Sequence, residues 1–362
     1  MTGSHELWLR AAACSMVLAT VVICVSAQTR PAPQFRTGVT LVELEVTVID
    51  GRGLPVAGLT KTDFSVFENG SPRTVVNAIE VGSPGTQTAG TELLQQSSTA
   101  PAESRIVTVI LDDAQIPANP RVAQQAKAIA RTVIQSLDAS DNAALVFTRR
   151  TGQSADFTTN HAKLIETVNG FVPAPSTGSA PTSGAAIMYE IRTSLNALES
   201  VVRYIGTMSG RRKAIFYVST GVALPRQGSQ AFNEVIQALR RVFDTAQAQN
   251  VMIYGLDPGG LSTGPETRIA GSSTPGVSAS GGLTSRHEFL LMLAENTGGR
   301  SIVDRNNPEK AVVALLTEHS HYYQVAYESS LVGAERPRKI EVRINRRGAA
   351  ARFRSMNTPW QP

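Results

Sequence analysis

Cysteine is nearly absent, with Cys14 and Cys24 the two examples in 362 residues. Both lie in an N-terminal stretch that reads as an export leader, so the chain beyond it has none. That excludes disulfides, thiol catalysis and cysteine-bound zinc. Aromatic residues are scarce at 6% and do not interleave with the basic clusters at Arg211-Arg212-Lys213, 336–339 and Arg346-Arg347. A stacking platform for nucleic acid is thereby excluded, and each cluster reads as a solvated face in or beside a turn. Charged residues make up 17%, and the net charge of +5 is mild for this length. There is no Walker loop and no dinucleotide fingerprint.

The leader has three parts. Arg10 supplies the positive region, residues 11–25 the apolar region, and Val25-Ser26-Ala27 the small residues suited to cleavage before Gln28. The apolar stretch is shorter than the roughly 20 residues that span a bilayer. Ile23 stands where lipoprotein signals carry a small residue, so lipidation of Cys24 is not expected. The expected product is secreted or periplasmic, with no transmembrane segment after cleavage.

Beyond the leader, residues 36–83 alternate apolar and polar positions, as at Val42, Leu44, Val46 and Val48, the period of a half-buried strand. Asn69-Gly70 is a hairpin signal. Residues 84–104 are a Ser/Thr/Gly/Gln/Pro-rich linker. The pattern then changes. Ile106 to Leu111 is a continuous apolar run, expected of a strand buried on both faces. Helical spacing follows through Val122, Ala126, Ile129, Val133 and Leu137. Further strands are expected at 143–147, 214–218, 251–256 and 300–303, and further helices at 160–170, 184–209, 230–249, 286–297 and 308–319. Repeated strand–helix units give a mostly parallel, doubly wound, Rossmann-like sheet with helices on both faces. Strands return at 322–327, 339–344 and 351–355.

Neither terminal group of strands is large enough to be stable alone. We therefore expect 36–83 and 321–357 to form one small, discontinuous β-sandwich-like domain, with an α/β domain over 105–320 inserted between them and the leader at 1–27. Two polar loops, 173–184 and 258–285, lie at the ends of expected parallel strands, where binding sites usually form.

The order of segments resembles a known family. IVTVILDD at 106–113, LDASDNAALVFT, DFTTNHAKLIETV, RRKAIFYVSTG and LLMLAENTGGRSIV follow one another as in a von Willebrand factor type A domain. With the preceding VIDGRGLPVAGL and DFSVFENG, the chain resembles the von Willebrand factor A-related proteins of the acidobacterial type. That resemblance implies a ligand-binding, non-enzymatic role and a divalent cation, magnesium or manganese, held at the end of the first strand by an Asp-x-Ser-x-Ser motif. Here the motif is degenerate. Asp112 matches its first Asp, but Ala114 and Ile116 occupy the serine positions, and Thr220 stands where a later Asp would be. Thr182 or Ser183 could supply a loop hydroxyl. The candidate metal ligands are therefore Asp112 and Ser183, and no resident cofactor is expected. The candidate binding residues are Asp112, Asp113, Thr182, Ser183, Thr220 and Asp257. Adjacent strand residues point to opposite sides, so Asp113 joins Asp112 only if the strand has ended.

GLSTG at 260–264 matches the nucleophile-elbow pattern, although no helix is expected to follow it for some twenty residues. Ser262 with Asp304 and His319 or His321 would keep a hydrolase order. The two histidines otherwise read as a surface pair near a helix end. His287-Glu288 lacks the second histidine of a zinc-protease helix. The expected function is binding of a protein partner in the envelope or outside the cell, not of nucleic acid. The alternatives are a serine hydrolase and a structural envelope component.

Overall fold

The computed structural model describes residues 40–82, 105–173, 184–208, 212–261, 279–329 and 339–353. The described residues from Leu41 onward belong to one compact unit. The leader, the 84–104 linker, Thr182, Ser183 and Ser262 lie outside the described residues.

The first described strands are β1 (Thr40–Asp50), β2 (Phe64–Glu68), β3 (Ser71–Arg73) and β4 (Val75–Val81). Asn69 and Gly70 have φ of 51° and 81°. Two left-handed residues in succession make the tight turn that fits the twist of a hairpin. β3 carries Pro72, which cannot donate to a ladder and is tolerated because β3 is an edge strand.

The α/β part follows as β5 (Ile106–Leu111), α1 (Pro120–Gln135), β6 (Asn142–Phe147), β7 (Ala155–Thr158), α2 (His161–Asn169), α3 (Gly184–Gly206), β8 (Lys213–Val218), α4 (Gln230–Ala248), β9 (Val251–Leu256), α5 (Ala279–Glu295), β10 (Ser301–Ile302) and α6 (Pro308–Ser320). The chain ends in β11 (Tyr322–Ser329), β12 (Ile340–Ile344) and β13 (Ala349–Phe353). Caps set several helix starts. The Asn119 side chain accepts from Arg121 N at 2.9 Å, with Pro120 in the first turn, and Ser229 accepts from Phe232 N at 3.1 Å. α5 begins before the 286 start that its apolar spacing gives, because ASGGLTS carries too little apolar pattern to signal a helix.

Six strands form one sheet in the order β10-β9-β8-β5-β6-β7, parallel except for β7. Val107, Val109 and Leu111 of β5 face α1, α2 and α6; Ile106 and Ile110 face α3, α4 and α5. Both faces of the strand are buried, which is why its sequence is an unbroken apolar run. Full burial of each such side chain stabilises by roughly 1.5–3 kcal/mol. The strand order reverses between β5 and β8. In doubly wound sheets ligands bind outside the carboxyl ends of the strands at this switch point.

The terminal segments interleave in two antiparallel sheets, β13-β1-β11-β4 and β12-β2-β3. Leu44, Val46 and Val48 of β1, Phe64 and Val66 of β2, Tyr323 and Val325 of β11, and Ile340 and Val342 of β12 share one core. Neither terminal segment supplies a complete sheet. Glu68, fully buried, accepts from Ser329 Oγ at 2.8 Å and pairs with Arg73 at 3.0 Å, which ties the first hairpin to β11.

Candidate functional site

β5 ends at the switch point. Asp112 N still bonds to Val218 O at 3.0 Å, but Asp113 N turns back to Leu111 O at 2.9 Å. The strand has therefore ended, and both carboxylates point into the same space. The Thr148 hydroxyl lies 2.7 Å from Asp112 and 3.0 Å from Asp113. It has one hydrogen, and the shorter contact assigns that hydrogen to Asp112.

Asp112 is completely buried. Its Oδ1 accepts from Thr148 and, at 2.9 Å, from Ser194 of α3; its Oδ2 accepts from Ser219 at 2.9 Å and from the Tyr217 hydroxyl of β8. Burial pushes its pKa up and the four hydroxyls pull it down, leaving it above the ordinary carboxylate value. The same burial and the adjacent carboxylate push the Tyr217 phenol well above its usual range, so it stays a donor. Asp113 caps the loop after β6, accepting from Arg149 N at 2.7 Å and Arg150 N at 3.1 Å.

Thr220 lies on this edge but turns away from Asp112, donating to Gln115 O at 2.8 Å. Asp257, at the end of β9, accepts from Gly259 N at 2.7 Å and from His287 Nε2 of α5 at 3.0 Å. That bond holds the His287 imidazole above its ordinary pKa. Arg286 donates to Gly221 O at 2.6 Å. Among the candidate residues the structure thus brings Asp112 and Asp113 together, sets Thr220 and Asp257 on the same edge with other partners, and leaves Thr182 and Ser183 undescribed.

The residues fit a divalent cation poorly. Four protein hydroxyls take the acceptor positions of Asp112. Ala114 offers no oxygen, and Ile116 is buried in the core beneath α1. Among the described residues no three His, Cys, Asp or Glu side chains are grouped to hold a metal. Sequence reasoning missed Thr148, Ser194, Tyr217 and Ser219. Two of them had a signal: Tyr217 is the one phenol in the apolar run of β8, and Ser194 falls on the buried face of α3 beside Ile191 and Leu198.

The two late histidines are not a surface pair. His319 is 2% exposed and His321 8%. His319 Nδ1 meets the Tyr254 hydroxyl at 2.9 Å, and its ring lies edge-on to Tyr254 and Phe216. Burial first, then Arg212 and Arg105, hold its pKa well below the ordinary value, so it is neutral. His321 pairs with Glu80 of β4 at 2.9 Å. The His319 carbonyl accepts from Arg212 and the Ser320 hydroxyl from Arg105, the residues just before β8 and β5. This is the opposite edge of the sheet from Asp257, a strand length of about 17 Å away. Ser262, the serine of the hydrolase alternative, lies outside the described residues.

No family model matches the sequence, and no curated protein matches it. Solved structures similar to the chain include the following three. Proximal thread matrix protein 1 from the mussel byssus has 10% identity and a TM-score of 0.36, over 68% of this chain and 49% of its own. The manganese-loaded TRAP protein of Plasmodium vivax has 11% identity and a TM-score of 0.34, over 67% and 79%. A von Willebrand factor type A structure from Catenulispora acidiphila has 10% identity and a TM-score of 0.35, over 91% and 76%. The doubly wound α/β assignment rests on the strand order above. No described helix is long and apolar enough to cross a membrane.

Proposed function

We propose that the chain is an exported, non-enzymatic binding protein that docks a protein partner on the carboxyl edge of its parallel sheet, without a metal. The observation that carries this reading is the state of Asp112. It sits at the switch point, where α/β folds take ligands, yet its lone pairs are spent on Thr148, Ser194, Tyr217 and Ser219. A carboxylate so occupied is a fixed part of the scaffold beneath the loops. It is neither a general base nor a cation ligand. The leader composition supports export, and the order of segments supports a von Willebrand factor A-like binding role. A pull-down from envelope extract, run with and without EDTA, tests both parts. The expected result is a partner retained equally under both conditions. Recovery of no partner would remove the binding reading, and loss with EDTA would restore the metal.

A second reading has one observation in its favour. His287 and Asp257 form an imidazole–carboxylate pair on the edge from which the GLSTG segment departs. Fluorophosphonate labelling that disappears in Ser262→Ala would replace the binding role with a hydrolase.

A further inference from the structure

We propose that Arg286 is the anchor for a carboxylate of the partner at this edge, so that the ligand is recognised by a fixed guanidinium. The inference rests on the binding role above and names the chemistry of what is bound. Its ground is an arginine held by the backbone of Gly221, with part of its donor set unspent among the described residues.

Arg286 is half-buried on α5, against the switch point. Its Nη1 donates to Gly221 O at 2.6 Å and approaches Gln115 Oε1 at 3.5 Å. Gly221 has φ of +80°, and a β-carbon placed on it would lie 2.2 Å from the Arg286 carbonyl. The two residues clamp each other: backbone of 221 on backbone of 286, and side chain of 286 on carbonyl of 221. Gln115 is fixed in turn, its carbonyl held by Thr220 and its amide 3.3 Å from Ser194. A side chain ordered this far has already lost much of the rotamer freedom that binding would otherwise cost.

A guanidinium carries five N–H groups in a planar fork. Nε and Nη2 of Arg286 have no partner among the described residues. The neighbouring cations each have an acidic or carbonyl partner: Arg149 pairs with Glu190, Arg150 with Pro173 O and Asp113, and His287 with Asp257. Burial lowers the Arg286 pKa, while Asp112, Asp257 and Tyr217 raise it. An arginine remains charged under such opposing influences. Two donors in one plane match the two oxygens of a carboxylate.

The test uses the full exported chain and a hexaglutamate peptide, with hexalysine and inorganic phosphate as comparison ligands, by titration calorimetry. We expect the glutamate peptide to bind, its affinity to fall with added salt, and Arg286→Gln to weaken it at least tenfold while Arg286→Lys weakens it less. A second measurement needs no variant: the peptide should protect Arg286 from phenylglyoxal in the wild-type chain. Equal binding by wild type and Arg286→Gln, absence of binding or of protection, or tighter binding of phosphate than of peptide would each overturn the proposal. The two layers of the reading fail separately. An envelope partner captured equally by wild type and Arg286→Gln removes the arginine anchor and leaves the binding role. Peptide binding lost in Arg286→Gln with no envelope partner captured does the reverse.

Discussion

The carbonyl of Arg286 lies 2.2 Å from where a β-carbon on Gly221 would stand. Gly228 has the same φ of +80° and nothing within 4 Å of its own β-carbon position. The pair separates backbone strain from collision. Gly228→Ala should cost about 1 kcal/mol, the left-handed penalty alone. Gly221→Ala should cost clearly more, because both partners of the clash are backbone. Urea denaturation of the two variants checks this, and equal costs would mean that the 221–286 contact is loose.

Asp112 should matter to folding more than to any ion. Asp112→Ala leaves four hydroxyls without their acceptor and should cost about 3 kcal/mol, whereas Tyr217→Phe removes one donor and should cost about 1–2 kcal/mol. Chemical denaturation measures both.

Divalent cations should leave the melting temperature unchanged. A cation present at 100 times its Kd would add about 2.7 kcal/mol to stability. Calorimetric melts in millimolar magnesium or manganese should show no such gain, and a gain that vanishes in Asp112→Ala would show that a cation displaces the hydroxyls.

Acid should weaken the fold through His319. Its folded pKa is depressed below the ordinary histidine value of 6.5, so between the two values the unfolded chain binds a proton that the native chain does not. Its contribution is intact above pH 6.5 and is lost as pH falls below it, at up to about 1.4 kcal/mol per pH unit. His319→Gln keeps a partner for Tyr254 and should flatten that part of the stability–pH curve. An unchanged slope would assign the acid sensitivity to another group.

The α/β part carries its own cores on both faces of the sheet, separate from that of the terminal strands. We propose that it is an inserted domain. Residues 105–320 expressed alone should fold cooperatively but melt lower, having lost the Arg212–Glu45 and Arg352–Glu318 pairs. A fragment with no cooperative transition would show the insertion to be inseparable from the strands around it.

Much of this was legible in the sequence, for stated reasons. The run Ile106–Leu111 and the spacing through Ile129 and Val133 read correctly because burial imposes a period on each. Asp112 could be placed because it ends such a run. Its partners could not, since Thr148, Ser194 and Ser219 come from three separate elements and a hydroxyl in sequence does not announce its acceptor. His319 and His321 were misplaced because a helix-terminal histidine is ordinarily solvated, and no local pattern records that α6 runs beneath Tyr254 before entering β11. Arg286 went unnoticed because ASGGLTS concealed the start of its helix.

The interleaved sheets also constrain the order of events during synthesis. β1 cannot acquire its neighbours β11 and β13 until the intervening 271 residues between Asp50 and Tyr322 have been made. For most of translation the first strands lack the partners that cover their edges, and an uncovered edge recruits other chains. Collapse of the α/β part shortens the loop to be closed and brings Arg105 and His321 to one edge of its sheet. The sandwich therefore closes last, and its closure reports that everything between its halves is already folded.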